Sequence, residues 1–201
     1  MRALPLLLLA TLLAAAPASA DSFVGATGGL MIPLGDSKSD NTGWSDQVSS
    51  SPKIGVRAGA IGESNVGGMF SVDWTPISNN YKTPGVDVST HRFRIQAHVL
   101  FEKHFAPKLT FSARMGGGID IAHASADAAI GALQFHASDT DVGWAFEAAG
   151  GVWFRLGDMD IGGELALPFG GHSHRASSTS DVTIDYTSYD VDLLFGVRLR
   201  S

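Results

Sequence analysis

Apolar and polar side chains alternate with a period of two along most of this chain. Phe93, Ile95, Ala97, Val99 and Phe101 interleave with Arg92, Arg94, Gln96, His98 and Glu102. The same phase runs from Leu109 to Ile121, from Trp144 to Phe154, and from Tyr189 to Leu199. Weaker segments cover Ile54 to Ile61, Val66 to Trp74 and Met159 to Leu167, and Phe23 to Leu34 opens the series with its phase unresolved. Helical spacing is absent, so the pattern predicts eight β-strands.

The connections carry as much information as the strands. Gly62 to Asn65, His104 to Pro107 and Gly157-Asp158 are short. Asp36 to Pro52, Pro76 to Thr90, Ala122 to Gly143 and Pro168 to Thr187 are long and rich in Ser, Asp, Asn, Gly and Thr. Long and short alternate strictly. An even strand count with turns on one rim and loops on the other predicts an all-β, eight-stranded antiparallel up-and-down transmembrane barrel.

A soluble barrel would turn its apolar face inward, so the phase must be assigned. The polar face holds Arg57, Arg92, Arg94, Arg114, Arg155 and Arg198 against Asp73, Glu102, Asp120, Glu147, Glu164 and Asp192. Six charges of each sign suit a narrow lumen, where an unpaired charge is costly. Phe93, Ile95, Phe146, Val152, Leu193 and Phe195 are then expected to face lipid. Trp74, Trp144, Tyr186 and Tyr189 gather toward the loop rim, and Phe101, Phe105, Phe111 and Phe154 toward the turn rim. Two aromatic girdles around an apolar band are expected at membrane interfaces. The five Lys, at 38, 53, 82, 103 and 108, fall in loops, turns or strand ends.

Residues 1–20 read as a signal peptide: Arg2, an apolar run from Leu4 to Ala16, and the cleavage site Ala18-Ser19-Ala20. The barrel domain then spans 21–201. The fourteen basic residues less Arg2 leave thirteen against twenty acidic ones. Such an acidic balance argues against nucleic acid as a partner. The chain has no Cys, hence no disulfide or thiolate chemistry.

With these elements in place the chain resembles the small outer-membrane barrels of the OmpA-barrel, OmpX and OmpW group. The resemblance rests on plan, and on the alternating last strand Val191, Leu193, Phe195, Val197 and Leu199; the usual terminal aromatic is Ser201 here. It implies short turns in the periplasm, long loops outside, insertion by the barrel-assembly machinery, outer-membrane lipid as the surrounding partner, and a monomer.

Candidate chemistry is sparse. His172-Ser173-His174, with Glu164 upstream, offers a metal pair, but a polar solvated loop accounts for it. Lipid A deacylases carry a His-x-Ser pair; Ser89-Thr90-His91 has the order reversed and His172-Ser173 lacks the spacer. No enzyme and no cofactor is therefore expected. Gly116-Gly117-Gly118 has no Lys-Ser/Thr after it and reads as a site of close packing in the wall. Two functions remain: a structural or surface-interaction barrel acting through long acidic loops, or an OmpW-like passage for small apolar molecules. Ile130, Leu133 and Phe135 are the apolar cluster a funnel would use.

Overall fold

A computed structural model describes residues 21–34, 48–79, 86–130, 133–175 and 183–201. The proposed leader, 1–20, lies outside them, as do the side chains of Ile130, Leu133, Phe135, Ser173, His174 and Tyr186. Nine strands are present among the described residues: β1 (Asp21–Leu34), β2 (Val48–Ser49), β3 (Ser51–Ile61), β4 (Val66–Asn79), β5 (Val86–Ala106), β6 (Leu109–Ile130), β7 (Leu133–Leu156), β8 (Met159–Arg175) and β9 (Thr183–Arg200). All pairings are antiparallel. The order β4-β3-β1-β9-β8-β7-β6-β5 is closed by β4–β5, giving a ring of eight. The two-residue β2 is the ninth. It continues β3 along β4 after a one-residue step: Ile54 faces Trp74, whereas Ser49 faces Ser78. Five residues then oppose four, the signature of a β-bulge.

The register fixes the barrel's dimensions. Passing from neighbour to neighbour, Asp21 leads through Ile61, Gly67, Leu100, Arg114, Ala149, Ala166 and Asp192 back to β1 at Met31. One circuit therefore climbs from position 21 to 31. With ordinary strand spacings this stagger tilts the strands by about 41° and sets a backbone radius of about 8 Å. Such an interior is filled by side chains.

The wall is inside-out relative to a soluble barrel. Val24, Ile54, Val99, Phe101, Met115, Trp144, Val152, Leu193 and Phe195 are exposed on the outer face, while charged side chains are buried. The unresolved phase of β1 is settled: Phe23, Thr27 and Met31 point inward and are buried, and Val24, Leu30 and Leu34 point outward. Gly116 and Gly118 permit the close approach of β5, since a Cβ there would meet the Ala97 and Ile95 carbonyls at 2.0 and 1.9 Å.

The long connections differ from the sequence reading. β6 and β7 stay paired up to Ile130 and Leu133, so much of Ala122 to Gly143 is hairpin. β8 and β9 likewise pair up to Arg175 and Thr183, and β4 and β5 enter the Pro76 to Thr90 segment from both sides. The cause is a loss of contrast between the two faces. Above Phe93, Ile121 and Val142 the outward phase becomes His91, His123, Ser125, Asp127, Ser138 and Thr140, while the inward phase mixes Ala122, Ala124, Ala126 and Ala137 with Asp139 and Asp141. Alternation persists in the backbone, but its membrane-type signal is lost. Above Trp144 and Gly171, β7 stays with β6 and β8 with β9, and no ladder joins β7 to β8 among the described residues.

Candidate functional site

The inward phase of all eight barrel strands converges on a charged lumen. Seven basic side chains (Lys53, Arg57, Arg92, Arg94, Arg114, Arg198 and Arg200) meet eight acidic ones (Asp73, Glu102, Asp120, Glu147, Asp160, Glu164, Asp190 and Asp192). The near balance lets each charge find a partner, and the stagger sorts them into layers.

The upper layer joins β5 to β6 and β9. Arg92 donates to both Asp120 oxygens at 2.9 and 2.7 Å and to Asp190 at 3.2 Å. Arg94 donates to the same two carboxylates at 3.0 and 3.1 Å. Above it His172 lies 3.0 Å from Asp141 and 3.6 Å from Asp120. Two guanidinium forks shared by two carboxylates offset one another's desolvation.

The middle layer is centred on Lys53. Its ammonium donates to Asp192 at 2.6 Å and lies 3.6 Å from both Asp73 and Glu147. Below it Arg114 bonds Glu147 and Glu164, and Arg57 bonds Glu164 from the opposite wall. Neither Asp73 oxygen and neither Gln96 amide atom has a hydrogen-bond partner among the described residues, though both side chains are only 1% exposed.

The lowest layer mixes charge with aromatic packing. Arg198 donates to Glu102, and Arg200 to Glu102, Asp160 and Asp21. The Arg198 guanidinium lies 3.6 Å from the Trp153 ring and 5.1 Å from that of Phe23. Trp153 Nε1 donates to Ser112 at 2.8 Å. Phe23, Ile61, Met69 and Leu100 form an apolar cluster at this level. The lumen is thus closed toward the turn rim by stacked rings as well as by ion pairs.

Eleven of the twelve charges assigned to the lumen from sequence are buried there: Arg57, Asp73, Arg92, Arg94, Glu102, Arg114, Asp120, Glu147, Glu164, Asp192 and Arg198. The twelfth, Arg155, shares the inward phase and bonds Asp160, but it lies at the turn rim with its side chain 31% exposed, because β7 ends one residue later. Lys53, which the sequence placed among loops, turns and strand ends, is the third residue of β3 and buried, since pairing with Gly29 carries the strand past Pro52. Sequence reasoning placed His98, Asp190 and Arg200 on the polar face but left them out of the lumen set, and it missed Asp160 and Trp153. Trp153 sits between outward Val152 and Phe154, where three large apolar residues in a row hide the phase. Asp190 could have been found from its phase with Asp192.

On the outer wall Phe93, Val152, Leu193 and Phe195 are exposed, and Ile95 and Phe146 are partly so. Trp144, Phe146, Phe169 and Tyr189 form a cluster of rings, with Trp144 edge-on to Phe169 at 5.7 Å. Trp74 stacks on His91. Phe101, Phe105, Phe111 and Phe154 mark the other rim. From Trp144 to Phe154 along tilted β7 is about 25 Å of height, the span of an outer-membrane apolar band.

The family model of the outer membrane protein beta-barrel domain matches residues 6–158. The chain belongs to that family. This barrel-domain assignment agrees with the solved structures it resembles. Ail, the attachment invasion locus protein of Yersinia pestis, aligns with a TM-score of 0.55 at 11% identity over 91% of this chain and 99% of that one. Neisserial surface protein A aligns at 0.50 with 16% identity over 89% and 96%. A major outer membrane protein of Thermus thermophilus aligns at 0.50 with 11% identity over 91% and 100%. At these identities the likeness is one of fold. A comparison with curated protein sequences yields no match.

Proposed function

We propose that this barrel-domain protein spans the outer membrane as a non-catalytic monomer, with a packed lumen and a structural or surface-interaction role on the loop side. The observation that carries this reading is the ion-paired interior. The Arg92, Arg94, Asp120 and Asp190 layer crosses the lumen below the mouth, and Trp153 with Arg198 fills its foot. A barrel of this radius leaves no continuous water path once such layers are filled. Phe93, Ile95, Phe146, Val152, Leu193 and Phe195 then face lipid, and the barrel-assembly machinery supplies insertion.

The partner surface would be the wall above the apolar band. Between Ala122 and Gly143 it carries Asp127, Asp139 and Asp141 and no Lys or Arg, so it suits an uncharged or cationic partner. An apolar passage fits less well, because molecules entering between Ala122 and Ala137 would meet the Arg92 layer at once. Planar-bilayer recordings of the purified protein test the packed lumen. No stable conductance is expected, and a steady porin-like current would overturn the reading.

A further inference from the structure

Two histidines face each other on the outer wall. His91 of β5 and His123 of β6 are direct cross-strand partners, immediately above Phe93 and Ile121. Direct partners share a face and bring their Cβ atoms to about 5 Å. Each ring is held by a different neighbour. Trp74 stacks on His91 with centroids 5.9 Å apart and planes 19° from parallel. His123 Nδ1 shares a 2.8 Å hydrogen bond with the Thr140 hydroxyl. His91 Nδ1 is buried and has no hydrogen-bond partner among the described residues. The surrounding outward positions, Pro76, Ser89, Ser125 and Thr140, are uncharged, and Ser89 and Ser125 bond each other.

We propose that His91 and His123 form a two-imidazole clip for a borderline divalent transition metal, copper(II) or zinc, at the upper edge of the apolar band. A metal–nitrogen distance of about 2.0–2.1 Å requires the two donor nitrogens to converge to roughly 3 Å, which rings on facing residues reach once His91 turns from Trp74 toward β6. Thr140 supplies the outer support such ligands need: when its oxygen accepts from His123 Nδ1–H, the Nε2 lone pair is left for the metal. Imidazole suits copper, nickel and zinc, with copper(II) held most strongly. Among the described residues no group of three or more potential ligands gathers. Water therefore completes the coordination, and the bound ion is exchangeable rather than structural.

The test is a titration of untagged, folded protein with copper(II), and separately with zinc, followed by electron paramagnetic resonance and calorimetry. One saturable equivalent per chain is expected, with nitrogen hyperfine structure from two imidazoles and binding that weakens as the pH is lowered. H91N and H123N should each weaken binding more than a hundredfold and T140V roughly tenfold, while H136N, altering the exposed His136–Asp127 pair, should leave it unchanged. Should a variant fail to fold, zinc protection of His91 and His123 against histidine-selective modification, read by mass spectrometry on the parent protein, decides the question. Parental affinity in H91N or H123N, no saturable binding below about 1 mM, or no protection of these two rings overturns the proposal.

Discussion

Arg114→Ala probes whether the lumen is dry. The Arg114 side chain is 2% exposed and bonds Glu147 and Glu164, which are 0% and 5% exposed. Removing one partner of a buried pair costs about 3–5 kcal/mol, because the other charge stays desolvated. Two features place this site near the lower bound. Glu164 keeps Arg57, and Glu147 keeps Lys53 at 3.6 Å. A loss of about 3 kcal/mol is therefore expected. It is to be read from urea or guanidinium titrations in lipid vesicles, with tryptophan fluorescence as the probe and Lys103→Ala as the comparison. Lys103 lies exposed at the turn rim, and its removal should cost within about 0.5 kcal/mol. The double variant Arg114→Ala with Glu147→Gln should be more stable than Arg114→Ala alone, since the carboxylate left without a hydrogen-bonded partner is gone. If Arg114→Ala shifted the transition no more than Lys103→Ala, water would be solvating the pair and the packed-lumen argument would fail.

Leu193→Arg places a charge on the outer wall near mid-height and should cost about 2–4 kcal/mol in bilayers, measured by the same titration; parental stability would refute the lipid-facing assignment. A Cys at exposed Ser138 should react with an impermeant thiol reagent on intact cells and one at exposed Ser64 should not, so the reverse labelling would invert the topology. Trp153→Ala should cost about 3–5 kcal/mol, because it removes a fully buried ring together with the Arg198 stack and the Ser112 bond; a cost below about 1 kcal/mol, set by equilibrium unfolding, would show the foot of the barrel to be loosely filled.

The strands and the assignment of their faces were legible because two-residue periodicity is a local property. Arg94, Arg114 and Glu147 declare their side by their immediate neighbours. Their pairing was not legible, because it depends on the stagger accumulated round the ring. Arg57 and Glu164 are 107 residues apart and meet across the lumen only when β3 and β8 are set at the right height. Lys53 was missed because its residue type and the adjacent Pro52 both suggest a loop, whereas the strand on either side of it is what places it indoors. The upper hairpin was missed because Ala124, Ser125 and Ala126 carry no apolar contrast between faces, although their backbones remain paired. The phase of the Asp190 and Asp192 pair was visible, and only its upper member was left out.

The change of the outward face from apolar to polar above Phe93, Ile121 and Val142 acts as a waterline. Below it the outward positions are wettable only by lipid; above it they are Ser, Thr, His and Asp. A rise of the barrel by two residues along its strands would lift Phe93 and Trp144 into water, and an equal descent would drag His123 and Thr140 into hydrocarbon. Both displacements are penalised from the same row of residues, so the protein has a fixed draught. In a bilayer of mismatched thickness the lipid must stretch or thin to meet that row, because the paired wall behind it cannot slide.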